Sequence, residues 1–217
     1  GLTFPGTYAL TARRYFHEFE STHDDLVHVS VKNHMHGFDN EVAHLRKDVS
    51  FEKANSGAMV ADPLTLYDCC PTSDGASAVI LVADHLAHQF TDTPIWVKGS
   101  GAGSDKLALH DRPSLTQLRA TQLASQKAYS IANVQPNQID LAEVHDCFTI
   151  AEVLATEDLG FAGRGEGGRF ARDGLGRRNE GDVTINASGG LQSKGHPLGA
   201  TGTGQAVEVF KQLRHQV

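Results

Sequence analysis

Asn186-Ala-Ser-Gly-Gly-Leu-Gln-Ser-Lys-Gly-His-Pro-Leu-Gly-Ala-Thr-Gly-Thr-Gly204 is the stretch whose reading decides the rest of the chain. A short β-prone run, Val183 to Asn186, leads into it. A helical run from about Thr203 to Arg214 leaves it. Glycines on both sides of His196 let the backbone turn sharply and approach a ligand closely. The helix that follows presents unpaired N–H groups and the positive end of its dipole. A histidine held among such donors suits a place where negative charge develops. A plain glycine-rich turn with a solvent-facing histidine is the rival reading, and the neighbouring sequence has to separate the two.

Working outward, Asp140 to Val144 reads as a strand that ends at His145-Asp146-Cys147-Phe148. A helix from Thr149 to Leu159 follows, capped by Gly160. Two polar clusters therefore sit in the same kind of place, between a strand end and a helix start, where open α/β folds put ligands. A cysteine at a helix start beside a histidine is expected to have a lowered pKa and to exchange protons near neutral pH. His145 and His196 can donate to a developing oxyanion. Further upstream, Ala78 to Ala83 is a continuous apolar run, the pattern of a strand buried on both faces, and Pro94 to Gly99 is a second strand candidate. Gly99 to Ser104 reads as a loose glycine turn. Ser114 is placed to cap a helix reaching Ala132, stopped by Asn133 and Pro136. Strand and helix thus alternate over residues 74–217, as in a layered α/β domain. Gly163-Arg-Gly165-Glu-Gly167-Gly168 matches G-x-G-x-x-G, but it follows a helix and precedes a charged loop, so a nucleotide site is rejected.

Residues 1 to about 58 read as helical. Thr3 to Phe19 carries Tyr8, Ala12, Tyr15, Phe16 and Phe19 at helical spacing, as core packing. Thr22 to Asp25 resembles a capping box for a helix ending near Gly37, and Ser50 to Ala54 is a short third helix. His34-Met-His36 has a metal-like spacing, but no Cys, Asp or Glu pattern completes a site. Cys69-Cys70 reads either as two small buried residues or as the lining of a ligand channel. With 217 residues the chain can bury a real core, and a net charge of −7 argues against nucleic acid and anionic membranes as partners. Three cysteines, two of them adjacent, fit a reducing, cytoplasmic setting.

With these pieces together the sequence resembles the thiolase superfamily, in the branch of the sterol-carrier-protein-2 thiolases. The resemblance rests on His145-Asp-Cys-Phe148, on Asn186-Ala-Ser-Gly-Gly190, and on Gly195-His-Pro-Leu-Gly-Ala-Thr-Gly202. Asp62-Pro-Leu64, Asp68-Cys-Cys-Pro71 and Ser73-Asp-Gly-Ala76 extend it over nearly the whole chain.

The resemblance implies a thiolase-like α/β fold. Residues 1–73 would be a mostly helical segment of the loop domain. Residues 74–217 would be the C-terminal half, a mixed sheet with helices that stops before its last strands. It implies Claisen chemistry on 3-oxoacyl-CoA through an acyl-cysteine, with coenzyme A or acyl-CoA as substrate and no prosthetic group or metal. His196 would activate the nucleophilic cysteine, Cys147 would be the acid/base cysteine, and His145 would hold an enolate thioester oxygen. Gly195 and Asn186 would belong to the oxyanion loop, and Cys69, Cys70 and Pro71 would lie near the CoA channel. The family's acyl-accepting cysteine belongs to a first half that these residues do not include, so the chain is expected to be an inactive fragment of an acetyl-CoA acyltransferase-type parent. That parent would be a homodimer or larger, with room for a small accessory subunit. The alternatives are a non-catalytic acyl-CoA or lipid binder, a partner-dependent subunit, and a thiolase-fold retro-aldolase.

Overall fold

Helix α1, Phe4–Phe19, starts where the Thr3 hydroxyl accepts the Gly6 N–H at 3.2 Å, with Pro5 inside the first turn. A proline there gives up no bond that the helix would make. The structure, a computed structural model, describes residues 1–217. The inner face of α1 buries Ala9, Ala12 and Tyr15, and Tyr8, Phe16 and Phe19 pack against the same core. Helix α2, His23–Phe38, is entered through Asp25, whose carboxylate accepts the Thr22 N–H at 3.2 Å and the Ser21 hydroxyl at 2.6 Å. It packs against α3 (Phe51–Asn55), α5 (Thr149–Asp158), α6 (Gly167–Arg172) and α7 (Gly190–Ser193), and so forms the central post of the molecule.

Two small sheets complete the frame. Strands β1 (Met59–Ala61) and β2 (Leu64–Thr65) pair antiparallel. Strands β3 (Leu141–Ala142) and β4 (Thr184–Ile185) pair parallel, Leu141 opposite Thr184 and Ala142 opposite Ile185. Helix α4 (Arg119–Ala132) precedes β3, and α8 (Thr201–Leu213) closes the chain. The main core lies among α1, α2 and α5, with Tyr15, Leu26, Ile150, Leu154 and Leu191 fully buried. A smaller core of Val144, Ala155, Phe170, Val183 and Ile185 lies under β3 and β4. The α/β class read from the sequence holds. No helix is long and apolar enough to cross a membrane.

Several expected elements differ. Ala78–Ala83 and Pro94–Gly99 are extended but form no strands, and residues 78–82 and 94–99 make no backbone hydrogen bonds. Ile80 is 89 % exposed, Leu81 78 % and Val97 74 %. Apolar β-branched residues confer a propensity, but a strand exists only where a neighbour takes its N–H and C=O groups, and no neighbour runs beside these two. The runs Asp140–Val144 and Val183–Asn186 contract to the two-residue ladder of β3 and β4. The helix expected from Ser114 begins at Arg119. The Ser114 hydroxyl is held in a local turn with Thr116 at 3.2 Å, and Asp158 takes the Leu118 N–H at 2.6 Å instead.

Gly99–Ser104 is an extended segment pressed onto α4, not a loose turn. A β-carbon on Gly99, Gly101 or Gly103 would strike the carbonyl oxygens of Ala128, Ala124 and Ala120 respectively. Alternate residues of an extended chain thus face helix positions four apart. Gly101→Val is expected to lower stability by about 1–3 kcal/mol through overpacking, read as a lower urea midpoint. An unchanged midpoint would show that the segment swings free of the helix.

Candidate active site

Because β3 and β4 are parallel neighbours, the loops that leave them emerge at the same end. The first carries His145, Asp146 and Cys147 into α5. The second carries Asn186 into α7 and then Gly195, His196 and Pro197 into α8. The structure brings the two histidines together: their rings meet edge to face, centroids 4.9 Å apart at 83°. The segment containing Cys69, Cys70 and Pro71 threads between the loops. Cys69 forms an antiparallel bridge with Phe148, the Cys70 N–H donates to the Cys147 carbonyl at 3.0 Å, and Thr72 bridges to His196.

His196 is held in one tautomer. Its Nδ1 lies 2.7 Å from the Thr201 hydroxyl, which is 3.0 Å from the Pro197 carbonyl. A carbonyl only accepts, so the Thr201 proton goes to it, and Nδ1–H must donate to Thr201. Nε2 then keeps its lone pair and makes no hydrogen bond within the chain. Burial lowers the pKa of His196, so Nε2 is a free base at neutral pH. Burial, then the neighbouring His196, lowers His145 as well. Gly195 adopts φ +111°, and a side chain there would collide with Ser73 and His44. The Ser73 hydroxyl accepts the His196 N–H at 3.1 Å and meets His44 Nδ1 at 2.9 Å, which fixes the start of the turn.

The expected lowering of the cysteine pKa is overturned. Cys147 is buried, and burial pushes its thiol up to about 11, with the Asp146 charge adding to the rise. Burial pushes Cys69 and Cys70 up to about 12. A helix start favours the thiolate but desolvation opposes it, and here desolvation is the larger effect because Cys147 belongs to the buried core. At neutral pH Cys147 carries its proton and is poised as an acid.

Beneath the loops lies a buried polar network that helix periodicity did not reveal. Lys32 Nζ on α2 donates to the Asn33 side-chain oxygen at 2.6 Å and to the Ile185 carbonyl at 2.8 Å, and pairs with Glu152 at 3.0 Å. The Asn33 amide nitrogen is 2.9 Å from both the Asp146 and the Glu152 carboxylates. Asp146 also accepts the Leu191 N–H at 2.8 Å, so it ties the first loop to α7 in the second. Its burial, reinforced by the Glu152 charge, raises its pKa. Asn186 is fully buried at φ +55°. Its side chain accepts the Val144 N–H at 2.8 Å and donates to Glu152 at 2.7 Å, which spends it on joining the two strands. Its carbonyl accepts from His36 Nδ1 at 2.9 Å, while His36 Nε2 accepts the Arg178 N–H at 3.2 Å. Burial holds the His36 pKa down to about 3, so His36 is a neutral strut with both ring nitrogens hydrogen-bonded to backbone. Asp68 anchors the cysteine segment, accepting from Thr65 N–H at 2.7 Å and from the Thr149 hydroxyl of α5 at 2.7 Å. The sequence signal available for this network was Lys32-Asn33 following the closely spaced apolar residues Leu26, Val27, Val29 and Val31.

No group of three or more His, Cys, Asp or Glu side chains is arranged to hold a metal. A cleft of about 550 Å³ borders the second loop, lined by His44, Ser73, Gly75, Gly195, Pro197 and Thr201 among others.

Comparison with known proteins bears directly on this arrangement. A family described as thiolase C-terminal domain-like matches residues 101–217. An acetyl-CoA acetyltransferase of Methanothermobacter thermautotrophicus is 50% identical over 214 residues, which are 99% of this chain and 56% of that protein. Sterol carrier protein 2 of Bos taurus is 31% identical over 97% of this chain and 39% of its own length. Among solved structures, the Ltp2-ChsH2(DUF35) aldolase superposes with a TM-score of 0.84 at 26% identity, over 96% of this chain and 55% of that one. The chain spans about half the length, or less, of these curated relatives.

Proposed function

The chain belongs to the thiolase family, and on that premise we propose that it supplies the acid/base half of an acyl-CoA C-acyltransferase site. The observation that carries the reading is the pair of histidine rings 4.9 Å apart, with His196 Nε2 unprotonated and unpartnered. In the thiolytic direction His196 Nε2 takes the proton of an acyl-accepting thiol. That thiolate attacks the 3-oxo carbon and the C2–C3 bond breaks. The electron pair moves onto C2 and the thioester oxygen of the departing enolate, where His145 donates. Cys147 returns a proton to C2, the role its raised pKa favours at neutral pH. Gly195 lets the turn close, and Asn186 positions the loops without touching substrate. Cys69, Cys70 and Pro71 form one wall of the thioester channel. Residues 1–73 act as the loop-domain segment and 74–217 as the catalytic half.

The acyl-accepting thiol comes from outside these 217 residues. Cys147 has the acid/base task, and Cys69 and Cys70 belong to the channel wall, where burial raises their thiols. The test is thiolysis of acetoacetyl-CoA by CoA. The chain alone is expected to give no acetyl-CoA, and a protein joining it to a nucleophile-bearing half is expected to give it. Thiolysis at enzyme-like rates by the 217 residues would overturn the division of roles.

The structural match to the aldolase favours a second reading, retro-aldol cleavage of a CoA ester by a subunit that works with an accessory chain. That reaction needs no free CoA and no acyl-cysteine. Cleavage of a 3-hydroxyacyl-CoA in the absence of CoA would select it.

A further inference from the structure

The parallel ladder ends too early to hold His145. The Asn186 N–H still donates to the Ala142 carbonyl at 2.8 Å, but Val144, the residue before His145, makes no backbone–backbone hydrogen bond. Val144 is buried all the same, so its N–H and C=O need partners. Two side chains flanking the second loop supply them. The Asn186 side-chain oxygen takes the Val144 N–H at 2.8 Å, and the Gln205 amide donates to the Val144 carbonyl at 2.7 Å. A carbonyl only accepts, so the Gln205 nitrogen is the atom that faces it. Asn186 precedes His196 in the chain, and Gln205 follows it on α8. The residues around Val144 are tied to the same loop: Glu143 accepts the Ser188 N–H and hydroxyl at 3.0 and 2.6 Å, and Asp146 accepts the Leu191 N–H at 2.8 Å. His145 itself is exposed. Its ring makes no hydrogen bond within the chain and meets the ring of His196. Backbone position, not a bond of its own, therefore sets where that ring stands.

We propose that Gln205 is a positioning residue for His145, holding the Val144 carbonyl so that the His145 ring stands against that of His196. The proposal rests on the reading of His145 as the donor to the enolate oxygen. Thr201 and Gln205 are four residues apart on α8 and so share one face of the helix. Thr201 holds the His196 ring through Nδ1, and Gln205 holds the strand exit that carries His145. One rigid element thus sets both histidines. Without the Gln205 donor the Val144 carbonyl is left unpaired in the interior, a cost that the strand exit relieves by turning toward water. That turn carries His145 away from His196.

The test is NMR of the 217-residue chain with labelled histidine rings. In the parent the ring protons of His145 and His196 are expected to give a mutual NOE cross-peak, as centroids 4.9 Å apart require. Gln205→Met keeps the reach of the side chain and removes the donor, and it is expected to abolish that cross-peak. Gln212→Met is the control. Its amide bonds Glu208 within α8 at 3.1 Å and not the first loop, and the cross-peak is expected to stay. A cross-peak that survives in Gln205→Met overturns the proposal. So does equal loss in Gln212→Met, which would mean that α8 merely loosens. If Gln205→Met does not fold by circular dichroism, Gln205→Glu takes its place, with the same shape and a carboxylate that only accepts at neutral pH. The same loss is expected, and a retained cross-peak overturns the proposal. In a protein joined to a nucleophile-bearing half, Gln205→Met is expected to slow condensation by up to about 100-fold, and more than it slows acylation of the nucleophile. Equal slowing of both would place Gln205 with His196 and overturn the assignment to His145. The cross-peak needs no CoA chemistry, so failure of the acyltransferase reading would leave that result standing.

Discussion

Lys32→Ala lowers the folding stability of the chain by about 3–5 kcal/mol, the range for breaking one side of a buried ion pair. The lysine is enclosed, and its ammonium meets Asn33, Ile185 and Glu152 at 2.6, 2.8 and 3.0 Å. All three of its protons are used. Remove it, and the Glu152 carboxylate stays in the interior with Asp146 close by, the two bridged by a single Asn33 amide. Two buried acids without a cation cannot both ionise, so one must take up a proton or the helices must part. The paired replacement Lys32→Met with Glu152→Gln removes both charges and is expected to recover most of the loss. Urea unfolding measures both. A loss below about 1 kcal/mol in Lys32→Ala would mean that water reaches the network. The same substitution should disturb the site, because Lys32 holds the Ile185 carbonyl just before the second loop and Asp146 joins that loop to the first.

Cys147→Ala, in a protein that joins this chain to a nucleophile-bearing half, is expected to slow condensation by about 10²–10⁴-fold, the usual worth of a general acid/base. Acylation of the nucleophile by acetyl-CoA should remain detectable, because that half-reaction moves no proton at the α-carbon. His196→Ala gives the contrasting pattern and slows both half-reactions, since its Nε2 serves the nucleophile. Single-turnover acylation and steady-state condensation separate the two variants. Unimpaired condensation by Cys147→Ala would remove the cysteine from the chemistry.

Much of this molecule is encoded locally. Thr3 and Pro5 begin α1, Asp25 begins α2, and Thr149 to Asp158 forms α5 as its pattern predicts, because caps and short-range hydrogen bonds lie within a few residues of one another. The two strand-to-helix loops are legible for the same reason. Once β3 and β4 pair in parallel, His145 and His196 must emerge side by side, and the motifs that contain them identify the family.

Tertiary structure decided what depends on distant partners. Ala78–Ala83 and Pro94–Gly99 have strand composition but no ladder, since a strand is a relation between two chains of backbone groups. Lys32 and Asn33 find their partners only because α5, α6 and α7 close around α2. The sign of the Cys147 shift also lay outside the sequence. A helix start and a nearby histidine predict a lowered pKa, and enclosure by α1 and the Cys69–Cys70 segment reverses it. Sequence alone thus picked out the two loops and the residues proposed to carry the chemistry. Burial and the hydrogen bonds across elements, which only the packed chain defines, decided which side chains are enclosed and which are spent on joining the loops, as Asn186 and Asp146 are.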